Sequence, residues 1–201
     1  MTEAAKSADL SPRRAQILDV AIDLFARHGL DNVTTRQIAA AVGISQPSLY
    51  AHFPNREAIC VAVCVRVMER LEAELTRTIA PDAPLRTRII HLGESYVRFG
   101  LDNEAAYRVA FMGTDATDGM DGKDEIKSVG LRTFGLLCAL VEEALGSDDP
   151  HRVAIRAQSA WASIHGLTSL LLGCQNFPWV DPEGFRTAHL ATVADMILRS
   201  D

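Results

Sequence analysis

The tripeptide Gly43-Ile44-Ser45 constrains the fold more than any other part of this chain. Just before it, the stretch 35–42 places Ile38, Ala39 and Val42 at the three- and four-residue spacing of one helical face. Just after it, the stretch 46–52 has Ser45 as a ready N-cap and Pro47 in its first turn, where a missing N–H matters little. Gly43 can take the left-handed backbone that a tight helix exit needs. Two short helices joined by a three-residue turn are expected. A longer helix should precede them over 12–27, with Ser11 as N-cap, Pro12 at the first position and Gly29 closing it. Its residues Ile17, Ala21, Leu24, Phe25 and His28 share a face.

The same punctuation continues downstream. Asn55 can cap a long helix over 56–80, with Glu57 near its positive end and Pro81 and Pro84 after it. Further helices are expected over 85–101, 104–112, 124–145, 151–172 and 182–199. The segment 113–123, rich in Gly, Asp and Thr, reads as a surface loop. Strand signals are almost absent. The expected fold class is all-α with about nine helices. A three-helix head occupies 1–55, and a helical bundle occupies 56–201.

Two short helices braced by a preceding amphipathic helix fit a helix-turn-helix, whose second helix enters the DNA major groove. The residues at the start of that second helix are small or polar, as the geometry requires. Gln46 can pair with an adenine edge, Ser48 with several bases, and the Pro47 ring can touch a thymine methyl. Arg36 is long enough for a guanine edge. Thr35, at a helix start, can offer its hydroxyl and backbone N–H to a phosphate. Tyr50, His52 and Arg56 can reach flanking phosphates.

The net charge of −6 looks wrong for such a role, so its distribution matters. Residues 1–60 carry six basic and six acidic side chains, while the remaining 141 carry 14 basic and 20 acidic ones. Within 32–56 there are two arginines and no acid. Contact with phosphate must come from that window. A head this weakly charged is expected to work as half of a pair.

Other classes are excluded on simple grounds. No apolar run approaches the roughly 18–20 residues that span a bilayer, and the N-terminus lacks a basic-then-apolar leader pattern. A cytoplasmic protein without membrane contact is expected. Cys60 and Cys64, four apart, share a helical face, but no zinc-type spacing surrounds them. They read as reduced core residues. A redox switch at these cysteines or at Cys138 is the alternative. There is no phosphate loop, metal motif or triad-like arrangement, so neither an enzyme nor a cofactor is expected.

The run from Thr34-Thr35-Arg36-Gln37-Ile38-Ala39 through Gly43-Ile44-Ser45-Gln46-Pro47-Ser48-Leu49-Tyr50-Ala51-His52-Phe53-Pro54-Asn55-Arg56-Glu57-Ala58 resembles the DNA-binding domain of the TetR family. The resemblance covers about 13–65. It implies a three-helix reading head, a connecting fourth helix and a variable helical C-terminal domain. It also implies homodimers that bind double-stranded operator DNA, usually as repressors released by a small molecule. It supports Arg36, Gln46, Pro47 and Ser48 as base readers, and Thr35, Tyr50, His52 and Arg56 as backbone contacts. Pro54 departs from the pattern, since many members carry lysine there, which removes one possible phosphate contact.

Further on, Trp161-Ala162-Ser163-Ile164-His165-Gly166-Leu167 resembles the Trp…His-Gly signature of one subgroup of TetR-like C-terminal domains. Because the family's cavity lies between the middle helices, Phe99, Tyr107, Phe111, Met112, Phe134, Cys138, Trp161 and His165 are the candidate ligand contacts. Few charges interrupt this set, so a largely apolar or aromatic effector is expected. The last two helices carry the stripes Val153, Ala157, Ala160, Ile164, Leu167, Leu171 and Phe185, His189, Val193, Met196, Ile197. Covering both is expected to need a second copy, in a two-fold four-helix interface. A DNA-associated regulator without ligand response remains the other reading of this half.

Overall fold

A computed structural model describes residues 11–112, 122–146 and 149–199. Among them are nine α-helices and no strand: α1 Pro12–His28, α2 Thr35–Val42, α3 Gln46–Tyr50, α4 Arg56–Thr78, α5 Leu85–Asp102, α6 Glu104–Tyr107, α7 Lys123–Leu145, α8 Pro150–Gly173 and α9 Pro182–Leu198. A 3₁₀ turn, Leu30–Asn32, follows α1, and a widened π-type stretch, Arg108–Met112, extends α6. The expected loop at 113–123 lies mostly outside the described residues.

Local chemistry sets the helix ends in the head. The Ser11 hydroxyl accepts from the Arg14 N–H, with Pro12 at the first position. Thr34 and Gln37 form a reciprocal capping box at the start of α2. Gly43 ends α2 at φ 75°, a left-handed conformation that a β-carbon would strain. Ser45 caps α3 and Asn55 caps α4. Each such cap contributes about 1 kcal/mol.

Three expectations about local structure need correction. His28 is exposed, because α1 buries Ile17, Leu18, Ala21, Ile22 and Phe25 instead. The expected single helix at 104–112 is a four-residue α-turn followed by the π-type stretch. The apolar stripes of the last two helices are also largely covered within one chain. Val153, Ala157, Ala160, Ile164, Leu167, Val193 and Ile197 are all buried, as α8 packs on α5, α7 and α9. What stays open on these helices is Phe185 from the expected stripes, together with Ile155, Trp161 and Leu170 from outside them.

α4 is the structural spine. Near its start Ile59, Cys60 and Val63 are fully buried, and near its end Leu71 and Leu75 are almost so. Arg66 pins it to α1, donating to the Ala15 carbonyl at 3.1 Å and pairing with Asp19 at 2.9 Å. One hydrophobic core runs without a break from α1 to α9. Among the described residues no helix is long and apolar enough to cross a membrane.

Candidate DNA-reading surface and ligand cavity

The turn places α3 so that one face is anchored and the other is open. Leu49 is fully buried, whereas Pro47, Ser48 and Arg36 are exposed and Gln46 is half-buried. Gln46 does not stand alone. Its Nε2 donates to the Thr35 hydroxyl at 3.1 Å and to the Tyr50 hydroxyl at 3.2 Å, and those two hydroxyls are 3.2 Å apart. These contacts, with Thr35 first and Gln46 second, hold the Tyr50 phenol pKa below its usual value. The triangle joins the first residue of α2 to both ends of α3, so a base-reading candidate and two phosphate candidates are held as one unit.

Two of the candidates are placed differently from the expectation. Arg56 is turned inward: Nε donates to the Val33 carbonyl at 2.8 Å and Nη2 to the Leu30 carbonyl. The guanidinium thus closes the loop before α2 onto α4. His52 is half-buried, and Arg14 Nη1 holds its carbonyl. The same Arg14 guanidinium lies 4.2 Å from the Phe53 ring centroid. That clamp was not readable from sequence, because its partners are 38 residues apart and share no local pattern.

Replacing Arg56 with methionine therefore tests a structural role against a phosphate contact. Two backbone carbonyls lose a charged donor, at about 2 kcal/mol of stability in urea unfolding. The slope of log affinity against log salt for DNA should stay unchanged. A slope shallower by about 1 per contact would restore the phosphate role.

The second site is a cavity of about 490 Å³ between α4, α5, α7 and α8, closed on one side by the π-type stretch. Four sequence candidates line it: Phe111, Phe134, Trp161 and His165. Tyr107 stands behind His165, fully buried, with its hydroxyl 2.6 Å from His165 Nδ1. Phe99 and Cys138 do not line it. Phe99 lies about one turn past Tyr96, in the groove beside Arg70 and Asn103. Cys138 is one position beyond the lining residue Leu137 and only half-buried. The Met112 side chain lies outside the described residues.

Sequence reasoning missed the α4 wall, Met68, Leu71 and Leu75, and it missed Tyr96. The Tyr96 hydroxyl is 3.1 Å from His165 Nδ1 and receives the Trp161 indole N–H at 3.4 Å. Burial lowers the His165 pKa and raises those of Tyr96 and Tyr107, and the neighbouring Tyr107 pushes that of Tyr96 further up. All three groups are therefore neutral near pH 7.

The paired cysteines of α4 offer little to an oxidant, whereas Cys138 is half-buried and Cys174 exposed. Cys60 and Cys64 are 0% and 2% exposed, and burial pushes the Cys60 thiol pKa up and that of Cys64 up to about 12. A thiol held protonated is a poor nucleophile.

A braced helix-turn-helix on a helical body with an apolar cavity is the architecture of a DNA-binding regulator. Comparison with known proteins agrees. Residues 17–63 match the model for bacterial regulatory proteins of the tetR family, and residues 89–193 match that for the tetracyclin repressor-like C-terminal domain. The chain belongs to the TetR family of transcriptional regulators, a family of regulators and not of enzymes. It is 32% identical over 170 residues to an uncharacterized HTH-type transcriptional regulator of Mycobacterium tuberculosis (strain CDC 1551 / Oshkosh), covering 81% of this chain and 79% of that one. It is 39% identical over 57 residues to the class D tetracycline repressor protein of Escherichia coli. That match covers 28% of this chain and about a quarter of the repressor, 26%. Among solved structures, a bacterial regulatory protein in the tetR family from Rhodococcus RHA1 superposes with a TM-score of 0.75 at 22% identity, covering 95% of this chain and 100% of that one.

Proposed function

We propose that this chain is a cytoplasmic homodimeric repressor that leaves its operator when a largely apolar small molecule enters the body. The head would be 1–55 and the sensing and dimerisation body 56–201. The observation that carries this reading is α4. The helix, tied to the head at its start through Arg56 and halfway along through Arg66, has Met68, Leu71 and Leu75 in the cavity wall. An occupant that shifts the far end of α4 must move the near end too, because a packed helix moves as a rigid body. A coupling of about 1–3 kcal/mol would change operator affinity roughly 5- to 150-fold.

In this reading Gln46, Pro47, Ser48 and Arg36 meet base edges, and Thr35, Tyr50 and His52 meet phosphates. Open apolar residues on α8 and α9, Ile155, Leu170 and Phe185, favour pairing there. Two heads about one helical turn apart, 34–36 Å, would read the two halves of a palindrome. The cavity favours a ligand-responsive regulator over one without response, and the burial of Cys60 and Cys64 disfavours a redox sensor built on that pair.

Selection of genomic fragments on the purified protein tests the reading. It should enrich sites with inverted repeats, bound by two chains. Enrichment of direct repeats, or of no sequence at all, would overturn it.

A further inference from the structure

We propose that the deep end of the cavity is a neutral oxygen-binding subsite, and that the effector is an uncharged, flat apolar molecule with a carbonyl or ether oxygen hydrogen-bonded by Tyr96. The inference rests on the reading of this cavity as the ligand site and specifies what that site selects.

The argument is a proton count. A neutral imidazole carries one proton. His165 Nε2 has the Ser169 hydroxyl at 3.4 Å, while Nδ1 has two phenols nearby, Tyr107 at 2.6 Å and Tyr96 at 3.1 Å. A phenol keeps its proton here because burial raises its pKa. With the imidazole proton on Nε2, facing the Ser169 hydroxyl, Nδ1 is an acceptor and Tyr107 donates to it. Nδ1 has a single lone pair in the ring plane, and the shorter contact fills it. Tyr96 accepts the Trp161 N–H at 3.4 Å, and its own proton has only the Tyr107 oxygen, at the same long 3.4 Å, which an occupant's oxygen at ordinary hydrogen-bond distance would replace. Tyr96 and His165 are lining residues, whereas Tyr107 is not. The donor presented to an occupant is the Tyr96 hydroxyl.

The rest of the wall sets the remaining chemistry. Thr133 lines the cavity, but its hydroxyl donates to the Val129 carbonyl at 3.0 Å. Lys127 and Gln158 are exposed and stand at the lip. Among the described residues no cation reaches the deep end. A carboxylate there would lose its water and meet only neutral groups, which is unfavourable. Phe111, Phe134 and Trp161 offer ring faces and edges, which suit a flat body.

Three probes of one skeleton separate the possibilities by calorimetry on the full chain: 2-acetylnaphthalene, its methylene isostere 2-isopropenylnaphthalene, and 2-naphthoate. The ketone should bind roughly 3- to 10-fold more tightly than the isostere, the gain of one hydrogen bond. Naphthoate should bind most weakly. Tyr96→Phe keeps the ring and the packing, so it should abolish the ketone's advantage and leave the isostere's affinity unchanged. Equal binding of ketone and isostere, or an advantage that survives Tyr96→Phe, would overturn the subsite while leaving the cavity reading intact. Tightest binding by naphthoate would overturn it in favour of the lip lysine. If none of the three binds, the cavity reading falls and the subsite falls with it.

Discussion

Replacing Gln46 with alanine should lower affinity for the selected operator by about 30- to 10⁴-fold, with the folded protein unchanged. The effect follows from about 1–3 kcal/mol for one well-placed side chain at a base edge, counted twice because both half-sites of the proposed dimer lose it. The geometry explains why the residue should matter this much. Both Nε2 hydrogens are engaged inside the protein, by Thr35 and Tyr50. This leaves the carbonyl Oε1 for the groove, an acceptor for the amino group of adenine or cytosine. The side chain is fixed before DNA arrives, so little rotamer entropy is lost on binding. Tyr50→Phe should have a smaller effect, because it keeps the ring and removes only the hydroxyl that steadies Gln46 and Thr35. The discriminating measurement is a titration against both the selected fragment and unrelated DNA. The loss should be confined to the selected fragment. Equal losses on both would make Gln46 a structural residue, and no loss on either would remove it from the interface.

The contrast between the two sites explains what the sequence could disclose. In the head the decisive contacts are close in the chain. Gly43 follows α2 directly, Ser45 caps three residues ahead, and Asn55 caps Ala58. Such contacts leave a spacing that can be read. The cavity is assembled from α4, α5, α7, α8 and the π-type stretch. Tyr96 and His165 meet across 69 residues, and no period relates them. Composition could therefore suggest an apolar pocket, but not which rings would line it. Phe99 and Phe111 look alike in sequence, yet only Phe111 reaches the cavity. The stripes offered for the dimer are mostly core for a related reason. Apolar periodicity tells how many faces must be covered, and not whether the same chain covers them.

Phe53→Ala should reduce the free energy of unfolding by about 3–5 kcal/mol and remove DNA binding through the fold instead of through a contact. Phe53 is 1% exposed and follows α3 at the point where the chain turns into α4. Truncating a buried phenylalanine costs about 3–5 kcal/mol through lost burial and the cavity left behind. The Arg14 guanidinium over the ring adds about 0.5–1 kcal/mol, lost with it. A domain has only about 5–15 kcal/mol in hand, so much of the margin disappears. Arg14 also holds the His52 carbonyl, so loosening it frees the end of the recognition helix. Phe53→Leu, closer in volume, should lose less. Urea unfolding would give the stability of each variant, and hydrogen exchange would locate the loss in α1–α3 or spread it over the chain. Because one core runs through head and body, exchange should quicken beyond the head, along the first turns of α4. Quickening confined to α1–α3 would mean that the head melts alone. α4 would then be unable to carry a ligand's displacement to the DNA.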